Sequence, residues 1–185
     1  MTEEVIEELR KEMERTLATF RKDLTRTRTG RASTALLDGI MVDYYGTKTP
    51  LNQLAGVAAP EPRLIVVTPY DKGALHEIER AIQHSDLGLQ PVNDGKLLRL
   101  PIPELTAERR RDLVKHVHKV AEEYRVSMRN HRRDAIDMLK ELEKEKEITE
   151  DDLHRAQEKV QDLTKDYIER VDKVLKAKEE EILEV

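Results

Sequence analysis

Apolar residues recur at helical spacing over long stretches at both ends of this chain. Ile6, Leu9, Met13, Leu17, Phe20, Leu24 and Thr27 lie three or four residues apart. So do Val117, Val120, Tyr124, Met128, His131, Ala135, Met138 and Leu142, and then Leu153, Ala156, Val160, Leu163, Tyr167, Val171 and Val174. Stripes of this kind predict three amphipathic helices, each with a narrow buried seam. Thr106 and Thr149 are the expected N-caps of the second and third, because acidic residues follow them and suit the positive end of the helix dipole. The break around "EKEKEIT" is short, so these two helices should pack antiparallel.

The middle of the chain has a different pattern. "IMVDYY" (40–45) and "RLIVV" (63–67) are rich in β-formers, "QLAGVAAP" (53–60) is a weaker strand, and "LQPVNDGKLLRLPI" predicts a hairpin turning at Asn93, Asp94 and Gly95. "DKGALHEIERAIQHSD" (71–86) places Leu75, Ile78 and Ile82 on one helical face. All seven Gly and all seven Pro fall between positions 30 and 103. These residues break helices, so the flanks can run as uninterrupted helix while the middle cannot. The expected fold is therefore α+β: a three-helix bundle of residues 1–30 and 106–185, with a small β/α/β domain, 31–105, inserted between its first and second helices.

Composition narrows the chemistry. Charged residues make up 38% of the 185 and aromatics only 3%, which favours long helices with thin seams over a broad aromatic core. There is no Cys, which excludes disulfides, thiolate metal sites and a cysteine nucleophile. The N-terminus "MTEEVIEELRKEMER" is acid-rich and unlike a secretory signal, and the longest clean apolar run is only Leu64–Val67. A soluble, cytoplasmic protein without a membrane partner is expected. No Gly-rich phosphate loop, Gly-x-Ser-x-Gly elbow or His-Glu-x-x-His pair is present. His116 and His118 point to different helix faces, His131 sits on the apolar seam, and the Glu150–Asp152 run suits a first helical turn. No catalytic residue, metal ligand or cofactor is expected, and the protein is not expected to be an enzyme.

The charge pattern raises a sharper question. Net charge is -5, yet Arg125, Arg129, Arg132 and Arg133 crowd into nine residues. At about 100° per residue, with Tyr124 at zero, Arg132, Arg125 and Arg129 fall near 80°, 100° and 140°, one stripe beside the seam, with Arg133 just outside it. Like charges three or four residues apart each cost a helix about 0.2–0.5 kcal/mol. Glu122 can relieve Arg125 and Asp137 can reach Arg133, which leaves Arg129 and Arg132 without a good acid within one turn. Residues 109–133 carry net +6 and residues 134–185 net −8. A cationic edge on an otherwise anionic molecule suits docking onto nucleic acid in one orientation, and the guanidinium fork suits RNA phosphates. A second basic group, Arg26, Arg28 and Arg31 with Arg109, Arg110 and Arg111, is expected to converge where the inserted domain joins the bundle. Gly30 and the stiff "PIPEL" segment (101–105) make that junction a candidate hinge.

"RTGRAS", "DYYGTKTPLNQLA", "SDLGLQP", "PELTAERRRDLVK" and "RVSMRNHRRDA", in this order and spacing, resemble the ribosome recycling factor family over essentially the whole chain. The resemblance implies an elongated L-shaped molecule of tRNA-like outline and a translation factor without catalytic activity. It would bind the post-termination ribosome at the tRNA sites of the 50S subunit, gripping 23S rRNA. With elongation factor G and GTP hydrolysis it would separate the subunits for another round of protein synthesis. Family basic residues match Arg28, Arg129, Arg132 and Arg133; Arg110 and Arg125 join the RNA-binding set from the charge pattern. The hinge would comprise Gly30, Arg31, Pro101, Pro103, Glu104 and Leu105. His131 departs from the aliphatic residue usual in the family.

The competing expectation is a helical adaptor whose helices pair with those of a partner. It needs apolar residues outside the main seam, and Ile136, Ile168 and Leu175 are the only candidates. The recycling reading expects a monomer instead.

Overall fold

The computed structural model describes residues 1–27 and 29–184. The three long helices form where the flanking stripes place them: α1 at Thr2–Thr25, α4 at Ala107–Lys144 and α5 at Glu150–Leu183. Between α1 and α4 lie strands β1 (Met41–Tyr44) and β2 (Thr47–Pro50), the single turn α2 (Leu51–Leu54), strands β3 (Ala55–Glu61) and β4 (Leu64–Pro69), helix α3 (Leu75–Gln83), and strands β5 (Val92–Asn93) and β6 (Leu98–Pro101). The molecule is an α+β protein of two compact units. One comprises Met1–Leu24 and Arg111–Glu184, and the other spans Thr25–Arg110. Residues 25–30 and 106–110, read from sequence as part of the bundle, thus group with the inserted unit. Sequence pattern does not mark that boundary, because α4 runs through it without a break.

In the helical unit the directions follow from side-chain pairs. His118 meets Glu179 and Arg125 meets Asp172, so a seven-residue advance along α4 is a seven-residue retreat along α5, and the two are antiparallel as expected. Thr16 meets His131 and Asp23 meets Tyr124, which makes α1 antiparallel to α4 as well. Lys159 bonds Glu3 and Tyr167 bonds Glu14, so α1 and α5 run parallel. Met13, Leu17, Phe20, Val117, Ala121, Met128, Leu139, Val160 and Val171 are fully buried between them. Two seam residues read from the pattern fall elsewhere. Thr27 lies beyond the end of α1, and Met138 is 55% exposed while Leu139 is fully buried. A strict 3–4 alternation has a period of 3.5, and a straight helix drifts about 20° per heptad against it. Over the three heptads from Val117 the stripe has turned far enough for the next residue to take its place. Leu175 is buried, and Ile136 and Ile168 are half-buried, so none of the three forms a second apolar face.

Thr149 caps α5 as the sequence indicates. Its hydroxyl accepts from the Asp152 N–H at 3.1 Å, and the Asp152 carboxylate accepts from the Thr149 N–H at 3.2 Å. This reciprocal pair satisfies two N–H groups that the helix cannot satisfy itself. Thr149→Ala should cost about 1 kcal/mol, read as a lower denaturation midpoint with an unchanged slope. Thr106 likewise accepts from the Arg109 N–H at 3.1 Å.

The inserted unit holds an antiparallel four-stranded sheet in the order β3-β4-β6-β5 and a separate β1-β2 hairpin. Its core gathers Val42, Ile65, Val67, Leu98 and Leu100 from the strands with Ile78 and Ile82 from α3. The β5-β6 turn forms at the expected place: Asn93 Oδ1 accepts from the Gly95 N–H, and Asp94 Oδ1 from those of Lys96 and Leu97. Strand β2 was not legible in the sequence. It exists because Tyr45 and Gly46, both at positive φ (48° and 79°), make a two-residue turn that pairs Tyr44 with Thr47. Tyrosine rarely takes that conformation, so the usual turn signal is absent. Among the described residues, no helix is long and apolar enough to cross a membrane.

Candidate nucleic-acid interface

Helix α4 is fixed on two sides. Toward α1, the Tyr124 ring lies 4.9 Å from that of Phe20, and its hydroxyl donates to the Asp23 carboxylate. Partial burial and that bond to an anion push the Tyr124 hydroxyl pKa up to about 12. His131 Nε2 lies 2.9 Å from Thr16 Oγ1. The Thr16 hydroxyl donates to the Glu12 carbonyl, so it is His131 that donates to Thr16. The seam histidine is therefore a hydrogen-bonded packing residue. Toward α5, Asp172 Oδ1 accepts from Arg125 Nε at 2.8 Å and Nη2 at 2.6 Å, and His118 Nε2 lies 3.1 Å from Glu179.

The four arginines of residues 125–133 differ in state. Arg125 is only 20% exposed and is shared between Asp172 and Glu122. Partial burial works against its charge, but the bonds to Asp172 and Glu122 outweigh it and raise its pKa. Arg129 is paired too: its Nη1 lies 3.1 Å from Glu122 Oε1, while Glu122 Oε2 accepts from Arg125 at 3.0 Å. Hydrogen bonds from Arg129 and then Arg125 hold the Glu122 carboxyl below its usual range. Arg132, half-buried, and Arg133, exposed, make no ion pair or hydrogen bond among the described residues. The expected Arg133–Asp137 pair does not form, and Arg129 has a partner two turns back. Both outcomes follow from helix geometry. Side chains lean toward the helix N-terminus, so an arginine reaches an acid that precedes it more readily than one that follows.

The other described residues of the sequence reading lie in or beside the inserted unit. Arg28 lies outside the described residues. Arg110, in the first turn of α4, is half-buried, and its Nε is buried with no hydrogen-bond partner among the described residues. Arg26 lines an open cleft of about 720 Å³ with Asp38, Asp43 and Asp86. Gly30 is buried at φ 82°. Pro101 pairs with Leu64 at the end of β6, the Ile102 N–H donates to the Arg63 carbonyl at 2.8 Å, and Glu104 lies 3.6 Å from Arg63. Pro103 is exposed and Leu105 buried, in a stretch (102–106) without helix or strand. Arg31 is exposed. Sequence reasoning placed Glu122 on Arg125, as observed, but missed the second bond of Glu122, to Arg129, and the bond of Asp172 to Arg125. Glu122 precedes Arg129 by seven residues, a legible spacing, but Asp172 reaches Arg125 through a helix register that sequence does not display.

A surface carrying two unneutralised guanidinium groups beside two neutralised ones can bind anions without first breaking a bond at Arg132 or Arg133. Comparison with known proteins gives this surface a context. Residues 20–183 match the model of the family described as ribosome recycling factor. A ribosome-recycling factor of Desulfosudis oleivorans is 54% identical over 185 residues, all of both chains, and that of Bacillus subtilis is 51% identical over the same span. Among solved structures, the solution structure of a ribosome recycling factor is similar with a TM-score of 0.81 at 41% identity, over 100% of this chain and 98% of that one. The T. thermophilus ribosome recycling factor, bound with the E. coli elongation factor G to the E. coli post-termination complex, is similar with a TM-score of 0.68 at 47% identity over 99% of each chain.

Proposed function

This chain belongs to the ribosome recycling factor family, and from that premise we propose that it binds the post-termination ribosome through the arginine edge of α4. The edge meets 23S rRNA at the tRNA sites of the 50S subunit. With elongation factor G and its GTP hydrolysis, the protein then separates the subunits. The bound assembly of the T. thermophilus relative supports the ribosome and elongation factor G as partners. The single observation that carries the RNA assignment is the pair of unneutralised guanidinium groups, Arg132 and Arg133, on a chain of net charge -5. Arg28, Arg110 and Arg129 belong to the same proposed RNA-binding set; Arg125, read from the charge pattern as a further member, is held by Asp172 and Glu122 and in this proposal supports the edge without itself meeting a phosphate.

The hinge assigned to Gly30, Arg31, Pro101, Pro103, Glu104 and Leu105 is part of this reading. Pro101 and Ile102 are tied to the sheet, so in this reading the swing is taken up at Pro103, Glu104 and Leu105 on one crossing and at Gly30 and Arg31 on the other. The family assignment makes this a translation factor, with the α4 edge acting by binding and the GTP chemistry supplied by elongation factor G.

Sedimentation tests the proposal. The protein alone should run as a monomer of 21.5 kDa and should pellet with purified 50S subunits at low salt. Self-association with indifference to ribosomes would instead support a helical adaptor.

A further inference from the structure

Glu122 stands between the two kinds of arginine on α4. One of its oxygens holds Arg125 and the other holds Arg129, at 3.0 and 3.1 Å. The two bonds differ in how easily they exchange. Arg125 is also held twice by Asp172 and is 20% exposed, so it is a fixed post. Among the described residues Arg129 has only Glu122; the side chains of that pair are 44% and 52% exposed, and solvent reaches both. An exposed pair of this kind shifts an equilibrium by no more than about five-fold, which a closely placed phosphate can outweigh.

We propose that Glu122 is a positioning residue for RNA binding: in the free protein it occupies Arg129, and on the ribosome an RNA phosphate takes its place while Glu122 stays on Arg125. This rests on the ribosomal RNA reading of the arginine edge. Arg132 and Arg133 then make first contact, since they have no bond to break. Arg129 engages only where a second phosphate arrives close enough to displace the carboxylate. Glu122 thus lowers affinity for any polyanion that cannot supply that phosphate, and discrimination between partners is a difference of such affinities. The exchange is charge-balanced, because Arg129 trades one anion for another and Glu122 retains a cationic partner.

Binding of the full-length protein to purified 50S subunits across a salt series tests this. Glu122→Gln removes the charge, keeps an acceptor and leaves Arg125 on Asp172, so the fold is retained. Binding should tighten by roughly two- to five-fold at low salt, because a displaced anion no longer opposes the phosphates. The log-affinity against log-salt slope should steepen by less than the roughly 0.7–0.9 of one phosphate, because Glu122, left with one guanidinium in place of two, recovers part of a cation in the wild type and none in the variant. Glu122→Ala should move both readouts in the same direction, which separates charge from hydrogen bonding. A merely structural role would change the melting temperature and leave the slope alone. Unchanged or weaker binding in both variants, while Arg132→Ala flattens the slope, overturns the role of Glu122 and leaves the RNA reading intact. If Arg132→Ala leaves the slope unchanged, the RNA reading fails and this inference falls with it.

Discussion

Arg132→Ala is expected to weaken binding to the 50S subunit by about ten- to a hundred-fold and to flatten the salt slope by roughly 0.7–0.9. Arg132 is half-buried on α4 in the free protein. It forms no ion pair or hydrogen bond among the described residues, so its removal leaves no buried acid unpaired. It also relieves the repulsion with Arg129 one turn away, worth about 0.2–0.5 kcal/mol in a helix. The melting temperature should therefore stay level or rise slightly while affinity falls. Arg125→Ala should show the opposite signature, because it strips Asp172 and Glu122 of a shared, mostly buried partner: a lower melting temperature with little change in slope. If Arg132→Ala weakens binding with the slope unaltered, the side chain packs against its neighbours and neutralises no phosphate.

The contrast between Arg125 and Arg132 also marks what sequence can and cannot convey. Periodicity locates α1, α4 and α5 because a helix has one repeat, and any long chain segment of that repeat must bury the same face. It locates β4, β6 and the turn at Asn93–Gly95 because β-branched runs and Asx-Gly chemistry are local. It misses β2, where Tyr45 occupies a turn position normally given to Asn or Gly, and it misplaces Met138, where helical drift hands the seam to Leu139. The same limit applies at the candidate interface. The crowding of arginines is local and readable. The bonds from Glu122 to Arg125 and Arg129 lie within α4 and are local too, but the hold of Asp172 on Arg125 depends on which carboxylate of α5 arrives at which turn of α4, and that is a property of packing.

Phe20→Ala is expected to be the most damaging single change in the helical unit, costing about 3–5 kcal/mol. Phe20 is the only phenylalanine in the chain, and it is fully buried in a seam filled mostly by aliphatic residues and methionine. Its ring lies against Tyr124, whose hydroxyl is tied to Asp23 on α1, so two ends of that aromatic are already anchored. The walls of the resulting cavity cannot move inward without breaking that bond, which places the substitution toward the upper part of the range. For a chain of this length the melting temperature should fall by about 6–20 °C. Amide hydrogen exchange should quicken along α1, α4 and α5. Protection of β4 and β6 should persist, because the inserted unit has its own apolar core in Ile65, Val67, Leu98 and Leu100. Asp172 holds Arg125 toward α5, on the flank of α4 away from the Phe20 contact, so molecules that remain folded should bind with the wild-type salt slope. A fall of less than about 2 °C would mean that the ring does not bear the packing assigned to it. A changed slope would mean that the α4 edge is not positioned by Asp172 and Glu122 alone.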